Sequence, residues 1–237
     1  MKHKKTNSHE SEFSSKVKSK PSDAYEAIKE LLLQRVLNPG QKLLYGDLSK
    51  MIGMSKTPIT SALNRLENEG FVVYEVNKGY RIKPIDKSEI SELFEIRMDL
   101  ECFNVRNAIR NLNDRNLEGL RKKFTTYSGY KPSFTDRRKL ALDLDFHLEI
   151  ARIGGNSYSV MFSKNIMEHI FYRYRLERGV EERKELVELE HQRVLEYIAE
   201  KDTSNAVKYM RQHVKALHKL MVQYSKDLSR PLGIGWL

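Results

Sequence analysis

Ser55-Lys56-Thr57-Pro58-Ile59-Thr60-Ser61-Ala62-Leu63-Asn64-Arg65-Leu66-Glu67-Asn68-Glu69-Gly70-Phe71-Val72-Val73-Tyr74-Glu75-Val76 is the stretch on which the fold turns. Ile59, Ala62, Leu63 and Leu66 recur at helical spacing, and Thr57-Pro58 reads as a cap residue followed by Pro at the first helical position. A helix is therefore expected from Thr57 to about Glu69. After Gly70 the period falls to two: 71–76 is β-branched and aromatic, Asn77-Lys78-Gly79 carries turn residues, and Tyr80-Arg81-Ile82-Lys83 alternates again before Pro84. The helix is thus expected to run directly into a β-hairpin.

On the N-terminal side, Pro21-Ser22 opens a helix with Ala24, Ile28, Leu31 and Leu32 on one face, expected to end at Asn38-Pro39-Gly40. A short helix fits 46–52, with Leu48 and Ile52 on its apolar side and Gly53 closing it. Three short helices and a hairpin over 21–84 describe a winged helix-turn-helix. On the C-terminal side the pattern is helical to about Leu228. Breaks at 111–114, 128–133, 154–156, near Gly179 and at 201–203 divide it into six helices.

The expected fold class is mainly α, an N-terminal winged helix-turn-helix followed by an all-α antiparallel helical bundle. The organisation is a basic arm (1–20) too poor in apolar residues to order itself, the winged domain (21–84), a linker (85–88), the helical domain (89–228) and a tail (229–237).

The 237 residues suit one or two domains, and 42 Lys+Arg against 32 Asp+Glu leave a net charge of +10, which favours a polyanionic partner. The excess is spread along the chain, so local arrangement has to carry any such assignment. No apolar run approaches the ~18 residues of a membrane span, and the first residues lack the apolar core of a secretory signal. A cytoplasmic location follows as the expectation. The single cysteine, Cys102, excludes an intrachain disulfide and agrees with a reducing compartment.

The helix over 57–69 leaves Lys56, Thr57, Thr60, Ser61, Asn64 and Arg65 facing away from its apolar side, a face able to enter a major groove. Around the turn, Lys78, Gly79, Arg81 and Lys83 form a basic hairpin tip suited to phosphate or the minor groove. Any amphipathic helix has a polar outer face, so the assignment to double-stranded DNA rests on the ordered set of helices, caps and wing. The stretch from Ala27 to Pro84 resembles the DNA-binding domain of GntR-type bacterial transcription regulators. The resemblance is carried by Asn38-Pro39-Gly40, Leu43, Leu48 to Gly53, Ser55 to Leu63 and Leu66-Glu67-Asn68-Glu69-Gly70. That family usually has Arg where this chain has Lys56, and Arg-Glu where it has Thr60-Ser61. The departures bear on the operator sequence rather than the fold, because they remove guanidinium forks that take guanine or phosphate bidentately.

In the second half, Asp143 and His147 are four apart, about 40° around a helix, on the face shared with Leu140, Leu144 and Ile150. His191 falls in the stripe Val187, His191, Val194, Ile198, and His213 in the stripe Ala206, Met210, His213, Leu217. Three helices thus aim one carboxylate and three imidazoles at the bundle interior, where polar groups need partners. Either they are hydrogen-bonded core residues, or a divalent ion satisfies all four. Three nitrogens and one oxygen suit Zn best, with Ni, Mn or Fe also compatible.

Asp143-x-x-Phe146-His147, Asn156, Glu190-His191 and His213 resemble the FCD ligand-binding domain of the FadR-like branch of these regulators, and six helices favour its VanR-like version. In metal-containing members of that branch one Asp and three His at these places hold the ion. The resemblance further implies a small carboxylate effector. Arg97 matches a common family arginine and would clamp the acid, the alternative being a salt bridge to Glu101 at i+4; Asn156 is either a second contact or a helix cap. Arg173, Tyr172 and Arg175 read as a solvated charged face, and His169 and His218 fall outside the pattern.

The reading is a homodimeric, non-enzymatic, ligand-responsive regulator of a pseudo-palindromic operator. The alternatives are a metal-dependent hydrolase or decarboxylase using an open coordination position, or a metal-sensing DNA-binding protein with no organic effector.

Overall fold

The computed structural model describes residues 21–131, 137–174 and 177–225. The basic arm over 1–20, the C-terminal tail and Arg175 lie outside the described residues. α1 (Pro21–Leu33), α2 (Tyr45–Ile52) and α3 (Lys56–Asn68) precede β1 (Val72–Glu75) and β2 (Gly79–Ile82). The strands pair antiparallel with Tyr74 opposite Tyr80, and Asn77 and Gly79 adopt positive φ in the turn. The wing is widened at its base, where Leu43 N–H donates to Tyr80 and Ile82 N–H donates to the Gln41 carbonyl. Ala24, Ile28, Leu32, Leu48, Ile59, Leu63, Leu66, Phe71 and Ile82 close one core.

α4 (Lys87–Arg110), α5 (Asp114–Gly129), α6 (Arg138–Ile153), α7 (Ser157–Arg173), α8 (Glu177–Ala199) and α9 (Thr203–Ser225) form the bundle. α4 packs on α6, α7 and α9, and α8 packs on α9. Phe94, Val105, Phe146, Ile150, Ile170, Val194, Ile198 and Met210 are among its buried residues. The six helices agree with the sequence reading, as does the winged domain.

Boundaries differ where local chemistry outweighs periodicity. α1 stops at Leu33 rather than at 38–40, because Arg35 turns left-handed at φ 61° and Leu37 N–H donates back to the Leu31 carbonyl. α3 starts at Lys56 behind Ser55, so Pro58 sits third, where its missing N–H still costs no intrahelical bond. The expected break near Gly179 falls earlier: α7 ends at Arg173 and α8 already includes Gly179. Asp86 caps α4 by accepting from Ser88 N–H at 2.9 Å, so Lys87 and Ser88, expected in the linker, belong to the helix.

The two cores meet along α1 and α7. Lys29 and Glu168 pair at 2.5 Å with both side chains buried, and Tyr172 packs against both cores. Arg173, read from sequence as solvated, is fully buried: it forks onto Glu89 at 3.0 and 2.7 Å and donates to the Pro84 carbonyl. A charge buried at a domain junction is paired because leaving it unpaired costs several kcal/mol.

Candidate metal centre and DNA-reading face

The apolar stripes of α6, α8 and α9 carry His147, His191 and His213 into one place, because each imidazole replaces an aliphatic residue on a face that must turn inward. All three are buried. Nε2 of His191 lies 3.1 Å from Nε2 of His147 and 3.3 Å from Nε2 of His213. Asp143 stands one turn before His147, its oxygens 3.5 Å from His191 Nε2 and 3.8 Å from His147 Nε2.

The far sides of two rings face carboxylates. His213 Nδ1 donates to Glu190 at 2.9 Å, and His147 Nδ1 abuts Glu101. A carboxylate at Nδ1 holds the proton there and leaves Nε2 as a bare acceptor. Burial, with the neighbouring His213, His147 and Arg97, keeps His191 well below the usual histidine range. Burial lowers His213 as well, against the opposing pull of Glu190. The Nε2 atoms of His147 and His213 both face His191 Nε2, and either a proton on that nitrogen or a cation among the three satisfies them. These separations let each nitrogen reach a common ion at the ~2.1 Å of a zinc–imidazole bond. The three imidazoles could thus hold a borderline divalent ion, and Asp143 stands beside two of them.

Arg97 is buried and its Nε donates to Glu101 at 2.5 Å, so the salt-bridge alternative is present. Both of its terminal nitrogens are buried without a hydrogen-bond partner among the described residues. A cavity of about 20 Å³ adjoins the centre, lined by Tyr127, Lys139, Asp143, Phe171, Val187 and His213 among others. Asn156 is exposed and its side chain accepts from Ser159 N–H at 3.0 Å, which caps α7.

On α3, Lys56, Thr57, Ser61, Asn64 and Arg65 are exposed, while Thr60 is half-buried and donates to the Lys56 carbonyl at 2.9 Å. Lys56 Nζ stands 5.0 Å from the Tyr45 ring. Arg65 lies over the Tyr25 ring at 3.6 Å and donates to Glu69 at 3.0 Å. Tyr80 OH donates to the Asn64 side chain, which ties the wing to α3. Gly79 takes φ 82° at the hairpin turn, and Lys78 and Arg81 share Glu75 there. Lys83 lies beyond β2 at the base of the wing and pairs with Glu89 at 2.6 Å, because α4 brings that carboxylate beside it.

Sequence reasoning missed Glu101 and Glu190 as the partners of the histidines, Lys139 beside the cavity, and the junction formed by Lys29, Glu168, His169, Arg173 and Glu89. Helical spacing held the signal: Lys29 shares the stripe of Tyr25, Ile28 and Leu32, and His169 stands one turn before Arg173.

Comparison with known proteins bears on both halves. Residues 21–82 match the bacterial regulatory proteins of the gntR family, and residues 92–216 match the FCD domain. The chain is 26% identical over 198 residues to the uncharacterized HTH-type transcriptional regulator YdhC of Bacillus subtilis (strain 168), covering 81% of this chain and 84% of that one. It is 29% identical over 132 residues to the Nta operon transcriptional regulator of Aminobacter aminovorans, covering 56% and 62%. Among solved structures it resembles E. coli McbR/YncC with a TM-score of 0.72 at 18% identity, over 87% of this chain and 99% of that one.

Proposed function

The chain belongs to the GntR family of bacterial regulatory proteins and carries the FCD domain, and on that premise we propose that its affinity for an operator is set by a small organic acid bound at a metal ion in the helical domain. It is a DNA-binding transcription regulator. α3 reads a major groove through Lys56, Thr57, Thr60, Ser61, Asn64 and Arg65, and the wing adds Lys78, Gly79 and Arg81 at the backbone. A homodimer places two such heads on a pseudo-palindromic site in the cytoplasm.

One observation carries the metal: three buried Nε2 atoms converge, two of them on rings whose Nδ1 is backed by a carboxylate. Asp143, His147, His191 and His213 would hold the ion, Zn best and Ni, Mn or Fe next. A bound ion supplies a Lewis acid that takes the oxygens of a hydroxy- or keto-acid. Arg97 supports the acid reading, since a carboxylate would give its buried terminal nitrogens the partners they need. The site is one of binding rather than catalysis, and the shift in operator affinity equals the acid's differential affinity for two arrangements of the reading heads.

The cavity of about 20 Å³ favours a second reading, because space for one water-sized group suits a protein whose effector is the ion itself. The experiment measures binding to selected DNA by metal-loaded and chelator-stripped protein, each with and without added acids. An acid effect seen only with metal supports the first reading; a metal effect with no response to any acid supports the second. Elemental analysis finding no metal in protein never exposed to chelator overturns both.

A further inference from the structure

Lys139 is a charged side chain that the metal reading does not use. It stands on α6, one turn before Asp143, and it is buried. Lys139 lines the same cavity as Asp143 and His213. Nζ sits 4.4 Å from the centroid of the Tyr127 ring and donates to the Tyr130 carbonyl at 3.3 Å. Its charge is met by Glu188 on α8, which keeps partial contact with solvent. A buried ammonium is thus paired with a carboxylate able to leave for water.

Resting on the acid-binding reading, we propose that Lys139 selects dicarboxylates: the acid's head group binds the ion and Arg97, and its second carboxylate replaces Glu188 on Lys139. The exchange trades one carboxylate for another on the same ammonium, so it does not strand the lysine. Glu188 turns outward, where water restores what it loses. The cavity of about 20 Å³ that Lys139 lines is too small as it stands for a carboxylate and widens as the second carboxylate enters. A monocarboxylate cannot make the exchange and leaves the Lys139–Glu188 pair closed. Specificity arises because only a second carboxylate takes the buried ammonium and releases Glu188 to water, a gain open to no monocarboxylate.

The test is calorimetry on the metal-loaded full chain with matched α-hydroxy acids that differ by one carboxylate: lactate with malate, glycolate with tartronate, 2-hydroxybutyrate with 2-hydroxyglutarate. At least one dicarboxylate is expected to bind about tenfold or more tightly than its partner. Lys139→Met should abolish that gap and leave the monocarboxylate affinity and the metal content unchanged, Lys139→Arg should retain it, and Glu188→Gln should widen it. Equal affinities within every pair in wild type, a preference for the monocarboxylate, or a gap that survives in Lys139→Met overturns the role of Lys139 and leaves the acid reading standing. Failure of all these acids to bind the metal-loaded protein overturns the acid reading, and this inference with it.

Discussion

The imidazole of His169 lies flat against the ring of Phe71, 4.2 Å between centroids and 4° between planes, and so joins α7 of the helical domain to the link between the reading helix and β1. Nε2 of His169 bonds to the Glu69 carbonyl at 2.8 Å, and Nδ1 faces Arg173 Nη1 at 3.2 Å. That geometry suits only the neutral ring, with Nε2–H donating and Nδ1 accepting from the guanidinium.

Acid should therefore loosen the junction. Burial lowers the His169 pKa to about 4 from 6.5, the Glu69 hydrogen bond and Glu89 oppose, and Arg173 and Lys83 add to the lowering. Between pH 6.5 and 4 the unfolded chain binds more protons than the folded one. Stability is then full above 6.5 and falls as the pH drops through that window, by up to about 3 kcal/mol. Denaturant titrations of wild type and His169→Gln across this range check it: the variant should show a shallower dependence on pH. An unchanged slope would mean that the ring titrates normally.

Lys29 and Glu168 make the second test of the junction, because burial lowers the Lys29 pKa even with the carboxylate beside it. Glu168→Gln leaves a buried ammonium without its anion and should cost about 3–5 kcal/mol. Replacing both residues by apolar ones of similar volume should recover most of that loss. Equilibrium unfolding of the two single variants and the double variant measures the coupling.

Where the sequence was readable, each helix or strand was decided by its own apolar period. The stripes of α3, α6, α8 and α9 named the winged domain, the bundle and the four candidate ligands, since burying a stripe leaves its polar members only the interior. What stayed hidden depends on pairings across long separations. Nothing local says that Glu89 will meet Arg173, that Glu101 will back His147, or that Lys83 will turn from the wing to α4. Those contacts follow from the docking of one domain on the other and from helix crossings, which periodicity does not encode. Helix ends were misplaced where one residue decided them, as at Arg35 with its left-handed φ of 61°.

At the metal centre, His191→Ala or His213→Ala should cut metal content and abolish the rise in thermal stability produced by added Zn. Glu101→Gln and Glu190→Gln keep every ligand yet disturb the Nδ1 partners of His147 and His213. Each should weaken metal affinity about 10–100-fold. Competition with a chromophoric chelator reads both sets, and wild-type affinity in both glutamine variants would show that the carboxylates do not hold the rings.

The reading face yields the sharpest separation, because Lys78 and Lys83 are alike in charge and unlike in surroundings. Lys78 is largely exposed at the hairpin turn, and Lys83 is engaged by Glu89 at the base of the wing. If Lys78 meets a phosphate, Lys78→Ala should weaken binding to all sequences and reduce the salt slope by about one unit. Lys83→Ala should leave the slope unchanged and lower stability instead. Asn64 adds a second contrast: Asn64→Ala should relax specificity at one base position at a cost of about 1–3 kcal/mol. Tyr80→Phe removes only the tie between wing and helix and should keep the base preference while weakening binding generally. Binding to a library of single-base operator variants at several salt concentrations distinguishes these outcomes. Equal salt slopes for the two lysine variants would place Lys83 against the DNA as well.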